Sequence, residues 1–140
     1  MAIHFFEEDI LSNLKKKKDT KTWIKESIHA ESKKLGTLNY IFCSDKYLHK
    51  MNVEFLQHDT LTDIITFDQS DSNDKIEGDI FISVERVLDN SKKYNTTFHD
   101  ELHRVMIHGA LHLIGYKDKK KSDKELMRSK EDYYLSKRTI

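Results

Sequence analysis

His108-Gly109-Ala110-Leu111-His112-Leu113-Ile114-Gly115-Tyr116-Lys117-Asp118 is the stretch around which this 140-residue chain is organised. Ile107, Ala110, Leu111, Leu113 and Ile114 make it apolar on most sides when wound as a helix, so it belongs in the centre of the fold. His108 and His112 stand four apart and project from one helix face, about one turn from each other. Gly115 ends the helix and turns the chain. Asp118 follows in the loop. Two imidazoles from a rigid helix and a carboxylate from the bend beyond it make an open site for a divalent ion. Three protein ligands leave a position for water, as in catalytic zinc sites.

A pair of core histidines is the alternative. Burying imidazoles is costly unless each ring nitrogen has a partner. A metal satisfies one nitrogen of each ring, and an acceptor behind it takes the other N–H. The glycine turn and Asp118 favour the metal, so His108, His112 and Asp118 are the expected ligands. Zinc is the expected ion, and the oxygen donor also admits a harder one such as manganese. The helix is not that of a metallopeptidase, which needs glutamate directly after the first histidine as general base. Gly109 stands there.

Outward from this stretch, the chain reads as one domain, residues 1–140, able to bury roughly two thirds of its unfolded surface. Hydrophobic residues are 37% and charged residues 34%, which predicts a compact core under a highly charged surface. The single cysteine, Cys43, excludes an internal disulfide and lies in the apolar run Tyr40-Ile41-Phe42-Cys43, as a small core residue. No targeting segment and no long apolar run is visible, so a cytoplasmic protein without a membrane span is expected. The net charge of +0 argues against a uniformly basic nucleic-acid binder. Its distribution is uneven. Lys117, Lys119, Lys120, Lys121 and Lys124 crowd the loop around Asp118, and Lys15 to Lys18 form a second run. Asp59, Asp63, Asp68, Asp71, Asp74, Glu77 and Asp79 concentrate the acidic residues. A polyanion approaching Asp118 would meet local positive charge.

Four strands are expected: Ile3 to Phe6, Thr37 to Cys43, Thr62 to Phe67 and Gly78 to Ser83. A helix capped by Asp19 or Thr20 should run to about Leu35 and end at Gly36. Ser44 or Asp45 should cap a short helix through Tyr47, Leu48, Met51 and Phe55. Ser83 should cap the next, and Thr97 opens the histidine helix with an acidic residue at capping-box spacing. Ser122-Asp123-Lys124-Glu125 is a second such box, opening a last helix. The order predicts an α+β domain: a small mixed four-stranded sheet packed with about five helices, the metal-binding helix buried at its centre. Glu101 falls within about 20° of His108 on the helical wheel but roughly 10 Å away along the axis, so an ion pair, solvent or a supporting role beside the metal is expected for it. His103 lies about 140° around from His108, and the His99–His103 pair reads as surface. Thr62 and Asp63 either line the cleft or serve as strand and cap residues. Tyr116 reads as a packing residue.

At these residues the chain resembles the YbeY family of bacterial endoribonucleases and rRNA maturation factors, whose signature is H-G-x-L-H-L-x-G-Y-D-H. His108, Gly109, Leu111, His112, Leu113, Gly115 and Tyr116 match it. Met51-Asn52, the segment Leu61-Thr62-Asp63-Ile64-Ile65-Thr66-Phe67, and Gly78-Asp79-Ile80-Phe81-Ile82-Ser83 resemble further family motifs, in order and spacing. Four departures stand out. Asp118 replaces the family's third histidine, Lys117 the aspartate before it, and Leu56 an arginine. Leu61 and Asp68 replace prolines, and the chain has none. With two histidines and one carboxylate a divalent ion keeps a net charge of about one rather than two, so water beside it is less acidic. Leu56 removes a bidentate phosphate partner.

The resemblance implies an endoribonuclease of rRNA maturation, including 16S rRNA 3′ end processing and ribosome quality control, in which zinc-activated water hydrolyses RNA phosphodiesters. Its implied partners are rRNA and ribosomal particles or ribosomal proteins, with no small-molecule cofactor. Lys117, Lys119, Lys120 and Lys121 are the expected RNA contacts. No catalytic side chain is assigned beyond the water. Two other readings stay open: an rRNA-processing or ribosome-assembly binding factor with a largely structural metal, and a two-histidine, one-carboxylate non-haem iron site.

Overall fold

A computed structural model of the chain describes residues 2–56 and 62–140. Asp59 of the acidic group and Leu61 at the head of the Thr62 motif lie outside them. In chain order the elements are β1 (Ile3–Glu7), α1 (Lys17–Ala30), β2 (Lys34–Cys43), α2 (Asp45–Leu56), β3 (Ile64–Asp68), β4 (Lys75–Ser83), α3 (Val84–Lys93), α4 (Phe98–Ile114) and α5 (Lys121–Ser136). The sheet order is β1-β2-β4-β3. β1 and β4 each run parallel to β2, while β3 pairs antiparallel with β4, so the sheet is mixed as expected.

Strand alternation assigns the two faces. Leu38, Tyr40 and Phe42 of β2 and Ile76, Ile80 and Ile82 of β4 enter the main core with Trp23, Ile24 and Ile28 of α1 and the apolar side of α4. On the opposite face Cys43 and Ile65 pack with Leu48 of α2, and Phe67 and Phe81 lean on them. α4 is the hub. Ten of its residues, from Glu101 to Leu113, are buried. Its midpoint is tied to the sheet by the Tyr40 hydroxyl, which donates to the Met106 carbonyl at 2.8 Å.

Gly109 explains why no glutamate follows the first histidine of the site. A Cβ there would come within 2.9 Å of Ile64 Cδ1 and 3.0 Å of Ile80 Cγ2. The helix presses onto β3 and β4 at that point, and only glycine allows so close an approach.

Several element boundaries differ from the sequence reading. α1 ends at Ala30, not near Leu35, and Thr20 lies inside it, donating to the Lys16 carbonyl at 2.9 Å rather than capping. Leu35 satisfies a helical period and a strand equally, and pairing with Ile76 of β4 captures it for β2. Gly36 therefore sits within the strand, beside a register shift between Leu35 and Leu38. β4 starts at Lys75, ahead of Gly78, because Ile76 is buried. α5 starts at Lys121 with Lys120 as its cap, so the Ser122 box is not used. The Ser44, Ser83 and Thr97 caps do form: their hydroxyls accept from the N–H of Tyr47, Arg86 and Asp100.

Candidate metal centre

α4 ends in a left-handed turn at Gly115, whose φ of 126° is open to glycine and strained for other residues. The Gly115 N–H bonds the Leu111 and His112 carbonyls, and the Tyr116 N–H reaches back to Leu111 at 3.0 Å. This closure folds the following loop over the last turn of the helix. Asp118 is thereby set against the histidine face. Its Oδ2 lies 3.2 Å from His112 Nε2 and 3.4 Å from His108 Nε2. Donors 2.0–2.1 Å from a tetrahedral zinc are separated from one another by roughly 3.3 Å. Both distances match that edge, and the three ligand atoms all lie within 4.8 Å of one another. Among the described residues this is the group of histidine and carboxylate donors close enough to share an ion.

One further side chain orients the His108 ring. Glu131 of α5 is 6% exposed, and its Oε2 takes a 2.6 Å hydrogen bond from His108 Nδ1. A carboxylate only accepts, so Nδ1 carries a proton, and Nε2 is the ring nitrogen turned toward Asp118. That is the orientation a metal-binding imidazole needs. The other oxygen of Glu131 accepts from Arg104 Nη1 at 2.8 Å, and Arg104 Nη2 donates to Asp132 at 2.6 Å. Burial disfavours the His108 imidazolium, but the hydrogen bond and negative charge of Glu131 outweigh it and raise the His108 pKa. A metal must therefore displace a proton, which makes its affinity rise with pH.

The three donors open onto a cleft of about 380 Å3, also lined by Thr62, Asp63, Ile64, Thr66, Glu101, Arg104, Val105 and Glu131. Among the described lining residues, Asp63, Glu101, Asp118 and Glu131 face one cation, Arg104. Burial, with Asp63 nearby, pushes the Glu101 carboxyl above its usual range, and burial does the same to Asp63. An acidic, half-enclosed cleft favours a divalent cation and repels a polyanion until the charge is offset.

Thr62 and Asp63 do line the cleft. Glu101 is 7% exposed, which overturns the solvent reading; it sits on the cleft wall two turns before His108. His103 is 4% exposed, so the surface reading of the His99–His103 pair fails for its second member. Lys117, Lys119, Lys120 and Lys121 are all exposed, and the described cleft lining includes none of them. Lys121 and Lys124 instead flank a shallow depression along α5. The sequence reading missed Glu131 and Arg104. Glu131 carried a signal: Met127, Glu131 and Tyr134 are the buried positions of α5 and fall at helical spacing, so an acid stands on a buried stripe.

The family model described as endoribonuclease YbeY matches residues 4–139. The chain belongs to the YbeY family. A curated relative called endoribonuclease YbeY from Cytophaga hutchinsonii is 54% identical over 135 residues, covering 96% of this chain and 94% of the relative. The YbeY of Flavobacterium johnsoniae is 61% identical over 110 residues, 79% of this chain and 78% of that one. The solution structure of TM1509 from Thermotoga maritima aligns with a TM-score of 0.67 at 28% identity, over 96% of this chain and 87% of that protein. In this member of the YbeY family, the signature histidines and the residue in the place of the third are the three donors that converge. No described helix is long and apolar enough to cross a membrane.

Proposed function

We propose that this protein is a metal-dependent endoribonuclease that cleaves rRNA phosphodiesters during ribosome maturation, including 16S rRNA 3′ end processing and ribosome quality control, in the cytoplasm. Relatives bearing the name endoribonuclease support the reaction class. The observation that carries the site is the convergence of His108 Nε2, His112 Nε2 and Asp118 Oδ2 at distances matching a tetrahedral edge, at the mouth of a cleft. These three residues would hold the ion, and zinc suits the donor set best, with manganese a second choice. When bound, the ion polarises a phosphoryl oxygen and lowers the pKa of a water molecule.

The chain's own groups have separate tasks. Glu131 holds the His108 Nδ1 proton and so keeps Nε2 turned to the ion. Arg104, held on two sides by carboxylates, keeps N–H donors for a phosphate oxygen in the cleft wall. Asp63 and Glu101, whose carboxyls burial pushes above their usual range, line the wall of the same cleft. Lys117, Lys119, Lys120 and Lys121 outside the cleft are placed to take flanking phosphates, with rRNA, ribosomal particles or ribosomal proteins as partners. The test is cleavage of a structured rRNA fragment by the wild type and Asp118→Ala, with and without chelator. Cleavage should be lost with chelator and in the variant, while RNA affinity measured with metal falls much less. If His112→Ala unfolds the protein, and binding and cleavage fail together in both variants, the metal is structural and the protein is a binding factor. Iron at stoichiometric level with redox activity would indicate an oxygenase.

A further inference from the structure

Asp118 is the weakly anchored member of the donor set. His108 and His112 stand on a buried helix, whereas Asp118 rides on a loop whose neighbours Lys117, Lys119 and Lys120 are exposed. Its own side chain is 41% exposed. Something else must hold that loop if the carboxylate is to wait beside the imidazoles.

Glu31, at the C-terminal end of α1, is a carboxylate that the metal site does not use. Its side chain is 10% exposed, and it accepts three donors. The Tyr116 hydroxyl donates to Oε1 at 2.5 Å, and the Tyr134 hydroxyl and Lys130 Nζ donate to Oε2, the latter at 3.2 Å. Burial alone would raise the Glu31 pKa, but these donors outweigh it and hold it below the usual range. Lys130 Nζ also sits 5.5 Å over the Tyr116 ring, so the phenol is gripped at its hydroxyl and its face. Tyr116 is two residues from Asp118. Its backbone N–H is already fastened to Leu111, and the side-chain anchor fastens the other end of the same residue. Tyr134 and Lys130 share α5 with Glu131, so one helix supports both the histidine and the loop.

We propose that Glu31 is a positioning residue for the metal centre: by clamping Tyr116 it holds the Asp118 loop against α4, so that the third ligand is in place before an ion arrives. This inference rests on the assignment of Asp118 as a ligand. Its physical basis is preorganisation. A ligand on a free loop loses conformational entropy when the ion binds, and a loop fastened beforehand does not.

The experiment measures zinc affinity by competition with a chromophoric chelator, together with the melting temperature of the metal-free protein. Tyr116→Phe keeps the ring and removes the anchoring hydroxyl. It should weaken zinc on the order of tenfold, the lower end of what outer partners of a metal site contribute. Glu31→Ala should match it, and the double variant should be no worse than either alone, since one interaction is removed twice. Ser27→Ala controls for general destabilisation. It deletes a buried 2.8 Å hydrogen bond to the Trp23 carbonyl within α1 and should lower the melting temperature with zinc affinity within about twofold of wild type. Wild-type affinity in Tyr116→Phe overturns the clamp, and so does an equal loss in Ser27→Ala. Asp118→Ala separates the two layers. If it binds zinc normally, the ligand assignment fails and the clamp with it. If it binds weakly while Tyr116→Phe does not, the clamp alone is wrong.

Discussion

α4 carries two histidine pairs at the same spacing, and they have opposite fates. His108 and His112 sit with ring centroids 4.5 Å apart and share a facing carboxylate. His99 and His103 are 6.2 Å apart, with no third donor grouped with them among the described residues. His103 packs against Trp23 at 5.5 Å, its Nδ1 accepts from Arg138 at 2.8 Å, and its buried Nε2 has no hydrogen-bond partner among the described residues. His99 donates from Nε2 to the Asn13 carbonyl at 3.2 Å. Spacing places two imidazoles on one face, and nothing more. A site needs a loop that delivers a third donor and a carboxylate that fixes the ring nitrogens, and only the C-terminal pair has both.

The comparison can be broken most sharply by exchanging the pairs' fates. His112→Ala should abolish stoichiometric zinc retention, a loss greater than the roughly 10–100-fold that removal of an outer partner costs, while His99→Ala should leave it intact. Metal analysis after dialysis checks both. Equal retention by the two variants would mean that the convergent geometry is not the ion's site.

Glu131→Gln comes next. It keeps the volume but offers His108 Nδ1 a neutral acceptor and leaves Arg104 with less compensation. Zinc affinity should fall about 10–100-fold. Chelator competition reads it, and an unchanged constant would remove Glu131 from the account of the site.

The smallest effect belongs to His103. Burial, then the charges of Arg138 and His99, push its pKa down to about 4 from 6.5. The unfolded chain therefore binds a proton that the folded one rejects. The stability from keeping this ring neutral is fully present above the unfolded value near 6.5 and is lost as pH falls toward 4. His103→Gln should flatten the decline in urea stability between pH 7 and 4.5 relative to wild type. Parallel pH profiles would show that the ring ionises without cost in the folded protein.

Much of the fold was legible because it is periodic. The apolar run Tyr40-Ile41-Phe42-Cys43, the strand around Ile80 and the glycine stop at Gly115 are local signals that the structure bears out. Leu35 was misread because a single apolar residue fits two periods, and a strand forty residues away decided between them. His103 was misread because the wheel shows which side a residue faces but not what covers that side. Here α1, through Trp23, and the tail, through Arg138, cover it.

The lone sequence thus determined the central helix, its two imidazoles and the turn after them, since these depend on contacts within a few residues. It also placed the chain in its family. Which acid orients His108, which guanidinium enters the cleft, and what holds the Asp118 loop were decided by the docking of α5 and the end of α1 against α4. Glu131 is 23 residues from His108, and Glu31 is 85 from Tyr116. Side chains so far apart along the chain meet only after the core between them has packed, and no local pattern encodes that meeting.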